Sequence, residues 1–287
     1  MKQSILKVRH LEEFVFKFFM ILSLVVIVIC TGYILLTILI KGLPSLNLAM
    51  ITQTSTGGYY LGKEGGVLNA ILGSIYLAGG GTLLALIPGI PLALFLHTSH
   101  QNSRWVKLVQ LSLDTLCGIP SIVYGAFGFT IMVALGLRGS LLAGIITLAF
   151  LELPILTRAA YEVIRMVPPE LEQASLGLGS TVLETKTQIV VRQILPGLIT
   201  AVQLAFGRGI GDAASVLFTA GYTDRIPVSL FQPVASLPLA VFYQINTPFP
   251  EVQQRAYASA LILTIIVFLV SLGSRILSAR LNRYVIK

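Results

Sequence analysis

The chain has 287 residues, 55% of them apolar and 11% charged, with a formal net charge of +8. This composition belongs to the membrane class and excludes a water-soluble domain. The basic excess does not indicate a nucleic-acid partner, because its distribution along the chain is topological.

Apolar runs long enough to cross a hydrocarbon layer of roughly 30 Å as helices place six spans, at about 15–40, 67–96, 108–137, 140–160, 196–221 and 256–276, in one transmembrane domain over 1–287. The charged opening before Phe18 leads into an apolar run too long for a signal peptide's core and without a small-residue cleavage site, so it reads as a span that stays. With the N-terminus inside, the inner segments collect Lys2, Lys7, Arg9, Lys17, Arg104, Lys107, Arg158, Arg165, Lys186, Arg192, Arg275, Arg280, Arg283 and Lys287. The outer segments keep only Lys41, Lys63, Arg138, Arg225 and Arg255. That asymmetry places both termini in the cytoplasm. Cys30 and Cys117 lie in apolar runs without CxxC spacing, which implies neither a disulfide frame nor a metal site.

The first loop, 41–66, is external and rich in Gly, Ser and Thr. The second span contains Gly79, Gly80, Gly81, Pro88, Gly89 and Pro91, residues that permit kinks and close helix contact. The third opens with Asp114 and carries Gly118 and Pro120, and the fourth contains Glu152, a candidate counter-charge, proton site or packing ligand. His10, His97 and His100 read as solvated flank residues.

Residues 157–196 form a long polar interruption, and within it the loop 161–195 punctuates a short helix. Pro168 and Pro169 end the preceding helix and suit a first turn, and ELEQASLGL gives about two and a half turns. Gly179 supplies a left-handed stop, and Thr181 with Glu184 is a capping box for the next helix. Leu171, Ala174 and Leu178 fall on one face, so the segment reads as a knob shaped to dock into a groove on a soluble partner.

In the fifth span Arg208 and Asp212 are one helical turn apart. A charge at that depth costs about 2.5–3.5 kcal/mol on insertion scales and must face protein or water. Arg208 is a candidate for an anion route, because its forked donors match phosphate or carboxylate oxygens, and the alternative is a structural pair with Asp212. Arg158 is a second candidate, the alternative being a side chain that snorkels to the interface. In the external connection 222–255, SLPLAVFYQI is expected to lie along the membrane surface. Gly209-Ile210-Gly211-Asp212 also spells the GxGD signature of intramembrane aspartyl proteases, with Asp114 as the second carboxylate. Leu113 stands where the usual tyrosine would be, and Arg208 would disturb a shared proton. No GxxxxGK[ST] run exists, so nucleotide binding, if transport uses it, belongs to another chain.

The polar loop resembles that of ABC importer permeases, whose EAA motif before the penultimate span fits a cleft on the ATPase. Here it reads Gln173-Ala174-Ser175 with Gly179 at the expected spacing, and Gln173 stands for the usual glutamate, beside Glu172. Arg192 occupies a common proline position. Three stretches are similar to the A-type permeases of phosphate importers: GIPSIVYGAFGF at 118–129, SLLAGIITLAFLELPILTRAAYEVIRMVP at 140–168 and GRGIGDAASVLFTAG at 207–221. In the last, Gly207 and Gly209 replace alanines, Asp212 a glutamate and Ser215 a proline.

The resemblance implies an all-α, polytopic protein of six transmembrane helices in the bacterial inner membrane, with the type I importer fold and no enzymatic activity. It implies a translocation pathway for inorganic phosphate, or for another oxyanion such as sulfate, molybdate or phosphonate. Arg208, Asp212 and Arg158 would serve that pathway. Glu170, Leu171, Glu172, Gln173, Ala174, Ser175, Leu178 and Gly179 would form the ATPase contact. The implied partners are a second, C-type permease chain, two ATP-binding subunits that use ATP-Mg, an external phosphate-binding protein and membrane lipid. This chain would bind no cofactor of its own.

Overall fold

The computed structural model describes residues 2–56, 64–98 and 103–282, with residues 2–11 described by backbone alone. Lys63, His100, Arg283 and Lys287, and the side chains of Lys2, Lys7, Arg9 and His10, lie outside the described residues. Among the described residues the fold is helical apart from a minimal antiparallel pair, β1 (Ser55–Thr56) with β2 (Glu64–Gly65). Five helices among the described residues are long and apolar enough to span a membrane, and a bent pair can make a sixth.

The first helix, α1 (Lys2–Gly42), meets the rest of the fold near its C-terminal end, where a methyl at Gly42 would lie 2.7 Å from the Tyr257 carbonyl, while from Glu12 onward its apolar window is unburied within the chain. It leads through a short 3-10 turn (Leu43–Ser45) and α2 (Leu48–Thr52) to β1. The core begins with α3 (Leu68–Thr98), which stays helical through Pro88 and Pro91. It packs tightly along α6 (Leu141–Arg165), as the glycines require: a methyl at Gly81 would meet Leu148 Cβ at 2.9 Å, and one at Gly89 would meet Leu156 and Thr157 at 3.2 Å.

The expected third span is not one helix. α4 (Arg104–Gly118) and α5 (Ser121–Ala134) meet at 101° across Ile119-Pro120. Pro120 forces its predecessor into extended backbone, and Ile119 has ψ 129°. Tyr124 Oη donates to Leu116 O at 2.9 Å and braces the corner.

After α6, α7 (Pro169–Gly177) is followed by α8 (Val182–Glu184), a π segment (Thr185–Val190) and α9 (Val191–Ile210). The fifth span is shorter as a helix than expected, since α9 stops at Ile210 and residues 211–221 run on as turns. The last helix, α11 (Pro250–Leu281), is preceded by α10 (Leu237–Ile245).

The surface position expected for SLPLAVFYQI is wrong. Leu237 and Leu239 are fully buried, and the N-terminus of α10 is fixed by Ser236 Oγ and by Ser74 Oγ of α3, which accepts from Leu237 N–H at 2.8 Å. A methyl at Gly73 would collide with the Ala235 carbonyl, so α3 offers a notch that only glycine leaves open. Residues 234–240 of the connection are thereby folded into the core, while 228–233 stay exposed.

Candidate functional site

Two regions hold the predicted residues, and the first is the α7 knob. Proline at its first position and acidic Glu170 and Glu172 in its first turn suit a helix start. At its other end Gly179 has φ +88°, Ser180 N–H reaches Ser175 O at 3.3 Å and Gly179 N–H reaches Leu176 O at 3.0 Å, a left-handed stop as expected. The capping box also forms: Thr181 N–H donates to Glu184 Oε2 at 2.8 Å, and Glu184 N–H donates to Thr181 Oγ1 at 3.3 Å.

The expected single face divides. Leu171 turns inward and packs against the cluster around Ile164, Val167 and Val190, and Ser175 is buried on Thr185 Oγ1 at 2.9 Å. Gln173 and Ala174 are exposed, as are Glu170 and Gly179, and Leu178 is 89% exposed.

Glu172, the charge beside Gln173 that could stand in for the usual glutamate of the motif, is engaged within the chain. Lys186 Nζ donates to both its oxygens, at 2.8 and 2.7 Å, and His97 Nε2 lies 3.0 Å from Oε1. His97 is therefore not a solvated flank residue, and Lys186 is only 8% exposed. One carboxylate fastens the knob to the end of α3 and to the π segment that leads into α9. Neither partner was found by sequence reasoning; His97 in the last turn of an apolar helix, opposite an acidic loop, was the available signal.

Burial pushes the Glu172 carboxyl up, but the bonds from Lys186 and His97, with their charges, outweigh it and hold the group below its ordinary 4.5. Because the folded value is depressed, the stabilisation is complete above the unfolded carboxylate pKa of about 4.3 and is lost as pH falls through the lower folded value. Thermal unfolding of the purified protein should lose stability on acidification into that window. Glu172→Gln should be less stable at neutral pH and show a flatter acid limb, and an unchanged limb would exclude Glu172 as the source.

The second region is the break at the end of α9. Three glycines, 207, 209 and 211, weaken the helix where it ends. Asp212 lies beyond the helix and folds the chain into a turn, its Oδ1 accepting from Ala214 N–H at 3.3 Å. The expected helical spacing of Arg208 and Asp212 is thus broken, and no ion pair joins them among the described residues.

The break lies at mid-depth. Gly209 abuts the Glu152 carboxyl, and Glu152 Oε2 is 2.7 Å from Thr82 Oγ1, both residues near the middles of their helices. Glu152 is fully buried where α3, α6 and α9 meet. Beyond the break, a methyl at Gly125 of α5 would meet Ser215 O at 2.7 Å and Ala214 O at 2.8 Å. The bend in the third span therefore cradles the irregular part of the fifth. Non-helical backbone at membrane depth is tolerated where it is buried in protein or lines a wet cavity. Here Ser215, Val216, Thr219 and Ala220 are buried, while Gly211 and Phe218 are exposed.

Since Gly209 faces the core, its neighbour Arg208 faces outward. It is exposed and makes no hydrogen bond or ion pair with any described residue. Asp212 is half-buried, with Oδ2 unpartnered. Arg158 differs: it forms an ion pair with Asp114 of α4 in a polar cleft shared with Gln110, Tyr161, Glu162 and Arg165. It is a paired side chain and not a lone snorkelling one. The pairing also removes Asp114 from the protease reading, because a carboxylate engaged by arginine does not share a proton with a second aspartate.

Residues 89–287 match the family described as binding-protein-dependent transport system inner membrane component. The PstA phosphate transport system permease of Xylella fastidiosa is 35% identical over 249 residues, spanning 85% of this chain and 84% of that protein. The PstA protein of Haemophilus influenzae is 30% identical over 244 residues (85% and 86%), and PstA 1 of Mycobacterium tuberculosis is 34% identical over 212 (73% and 69%). In fold, the chain is similar to a chain of the inward-facing MetNI methionine ABC transporter, with TM-score 0.63 at 16% identity over 75% of this chain and 95% of that one. It is also similar to a chain of the bacterial alginate ABC transporter, with TM-score 0.60 at 16% identity over 90% and 94%.

Proposed function

Because the chain belongs to the binding-protein-dependent inner membrane components, in the branch of the PstA phosphate permeases, we propose that it forms half of the translocation pathway of an ATP-driven importer of inorganic phosphate. The observation that carries this reading is Arg208, an arginine at mid-depth that faces away from its own bundle and is unpaired among the described residues. A guanidinium so placed needs protein or water in front of it. A second, C-type permease chain supplies the facing wall, and the anion passes between the two. Asp212 at the helix break moderates the field there, and Asp114 does the same for Arg158, so that each station attracts an anion without trapping it.

An external phosphate-binding protein delivers the anion. Two ATPase subunits, which use ATP-Mg, grip α7 and its counterpart from the end carrying the basic excess, so both termini lie in the cytoplasm. Movement of α7 reaches the pathway through two rigid connections, Glu172 to His97 of α3 and Glu172 to Lys186 beneath α9. From there it reaches the junction of Thr82, Glu152 and Gly209 directly behind Arg208. Glu170, Gln173, Ala174 and Leu178 are the surface offered to the ATPase, with Leu171, Ser175 and Gly179 shaping the knob from within.

Leu178→Arg tests the coupling. The side chain is almost wholly exposed, so folding and membrane insertion should be unaffected. A charge placed in an interface anchor costs upwards of about 2 kcal/mol, and ATP-dependent uptake in membrane vesicles should fall by more than about tenfold. Unchanged uptake would remove α7 as the contact.

A further inference from the structure

Charge matching separates two polar clefts. The cleft between α4 and α6 is balanced, since Asp114 pairs with Arg158 and Glu162 lies 3.5 Å from Arg165. A cleft of about 520 Å³ between α9 and α11 is not balanced. Its polar lining is Thr200, Gln203, Ser271, Arg275, Ser278 and Asn282, and no carboxylate is among the residues that line it.

The hydrogen-bond assignments show what remains available. Ser278 donates to the Pro196 carbonyl at 3.0 Å, which fastens α11 to α9, and Thr200 donates to the same carbonyl within α9 at 3.4 Å. Gln203 Nε2 donates to Ser271 Oγ at 2.8 Å, so the hydroxyl proton of Ser271 is left for another acceptor. Arg275 makes no hydrogen bond or ion pair with any described residue. The cleft thus offers a guanidinium fork, a hydroxyl and the Asn282 amide, all donors, with Phe268 and Leu272 forming its apolar wall. Ser278 is level with Pro196, so Arg275 sits about 4.5 Å further into the bundle, at 1.5 Å rise per residue. It lies too close to the α7 end to be the station formed by Arg208.

We propose that this cleft binds a phosphate group, held by Arg275 with Ser271 and Asn282 as additional donors. A guanidinium fork matches two phosphate oxygens, and basic pockets between helices on the cytoplasmic side accept anionic headgroups. Two sources present the same chemistry there, the headgroup of an anionic phospholipid and inorganic phosphate leaving the pathway. The site does not depend on the transport reading, because its occupancy is measured without turnover.

The test uses the full chain purified with its partner subunits in detergent, with Cys30→Ser and Cys117→Ser, and with Ala279→Cys as a reporter at the cleft wall. The rate of thiol labelling is followed against inorganic phosphate, against phosphatidylglycerol and against zwitterionic phosphatidylcholine. Labelling should slow about tenfold at ten times the dissociation constant, by mass action, with phosphatidylcholine inert. Slowing by phosphate in the absence of lipid identifies the solute, and slowing by phosphatidylglycerol alone identifies the headgroup. Arg275→Gln should abolish the effect, and Arg275→Lys should retain a weaker one. The proposal is overturned if neither anion slows labelling, or if Arg275→Gln is protected as well as the parent.

Discussion

Replacement of Arg208 by glutamine should reduce phosphate uptake by roughly one to two orders of magnitude while leaving the assembled complex intact. The chain's own contacts predict the second half of that result: Arg208 is exposed and bonds to no described residue, so its removal leaves nothing unpaired. The first half follows from what a buried-pathway guanidinium contributes. A hydrogen bond to a charged group is worth about 1.5–3 kcal/mol, and each 1.36 kcal/mol is a factor of ten in rate. Lysine at this position should fall between, because it keeps the charge and loses the fork. Uptake of labelled phosphate into inverted-control and right-side-out vesicles measures the effect, and normal uptake by Arg208→Gln would end the role of this residue.

Gly209→Ala should be damaging for a different reason. The new methyl would fall within contact distance of the Glu152 carboxyl, with its Cδ at 2.9 Å. Glu152 has little room to yield, being fully buried and tied to Thr82 at 2.7 Å. Overpacking of this kind costs about 1–3 kcal/mol, seen as a drop of several degrees in Tm. The same displacement rotates the end of α9 and carries Arg208 with it, so uptake should fall further than stability. Gly207→Ala is the control, since nothing lies within 4 Å of its added methyl. Removing the obstacle with Glu152→Ala should restore part of the Tm lost by Gly209→Ala, giving a non-additive cycle. Strict additivity would show that the two positions do not meet.

The difference between these two effects reflects what a sequence displays. Local punctuation is read directly: Pro168-Pro169, Gly179 and the Thr181 to Glu184 capping box each act within four residues, and each stands where it was expected. Long apolar periods likewise mark the spanning helices. Hydropathy, however, does not distinguish a helix that crosses from one that ends at mid-depth. Arg208 and Asp212 were placed on one helix although Gly207, Gly209 and Gly211 marked the break. Nor does it distinguish an interfacial helix from a buried one. α10 was assigned to the surface, and only the polar Asn69 and Ser74 in the opposing apolar helix, bonded to Thr223 O and Leu237 N–H, hinted at its burial. The Glu172 junction was hidden by separation: its partners lie 75 and 14 residues away, and no spacing rule joins them.

The bent third span lies between these cases. Gly118 and Pro120 flank the corner in the sequence but do not by themselves predict a bend of 101°, which is completed by α5 closing over Ala214 and Ser215, a contact that neither segment announces alone.

The most direct measurement reconstitutes the chain with its second permease and its ATPase in vesicles and adds the binding protein loaded with one anion at a time. Phosphate should stimulate ATP hydrolysis and accumulate, sulfate and molybdate should not, and Arg208→Gln should abolish accumulation. Stimulation by another oxyanion in preference to phosphate, or accumulation undiminished by that substitution, would contradict the account.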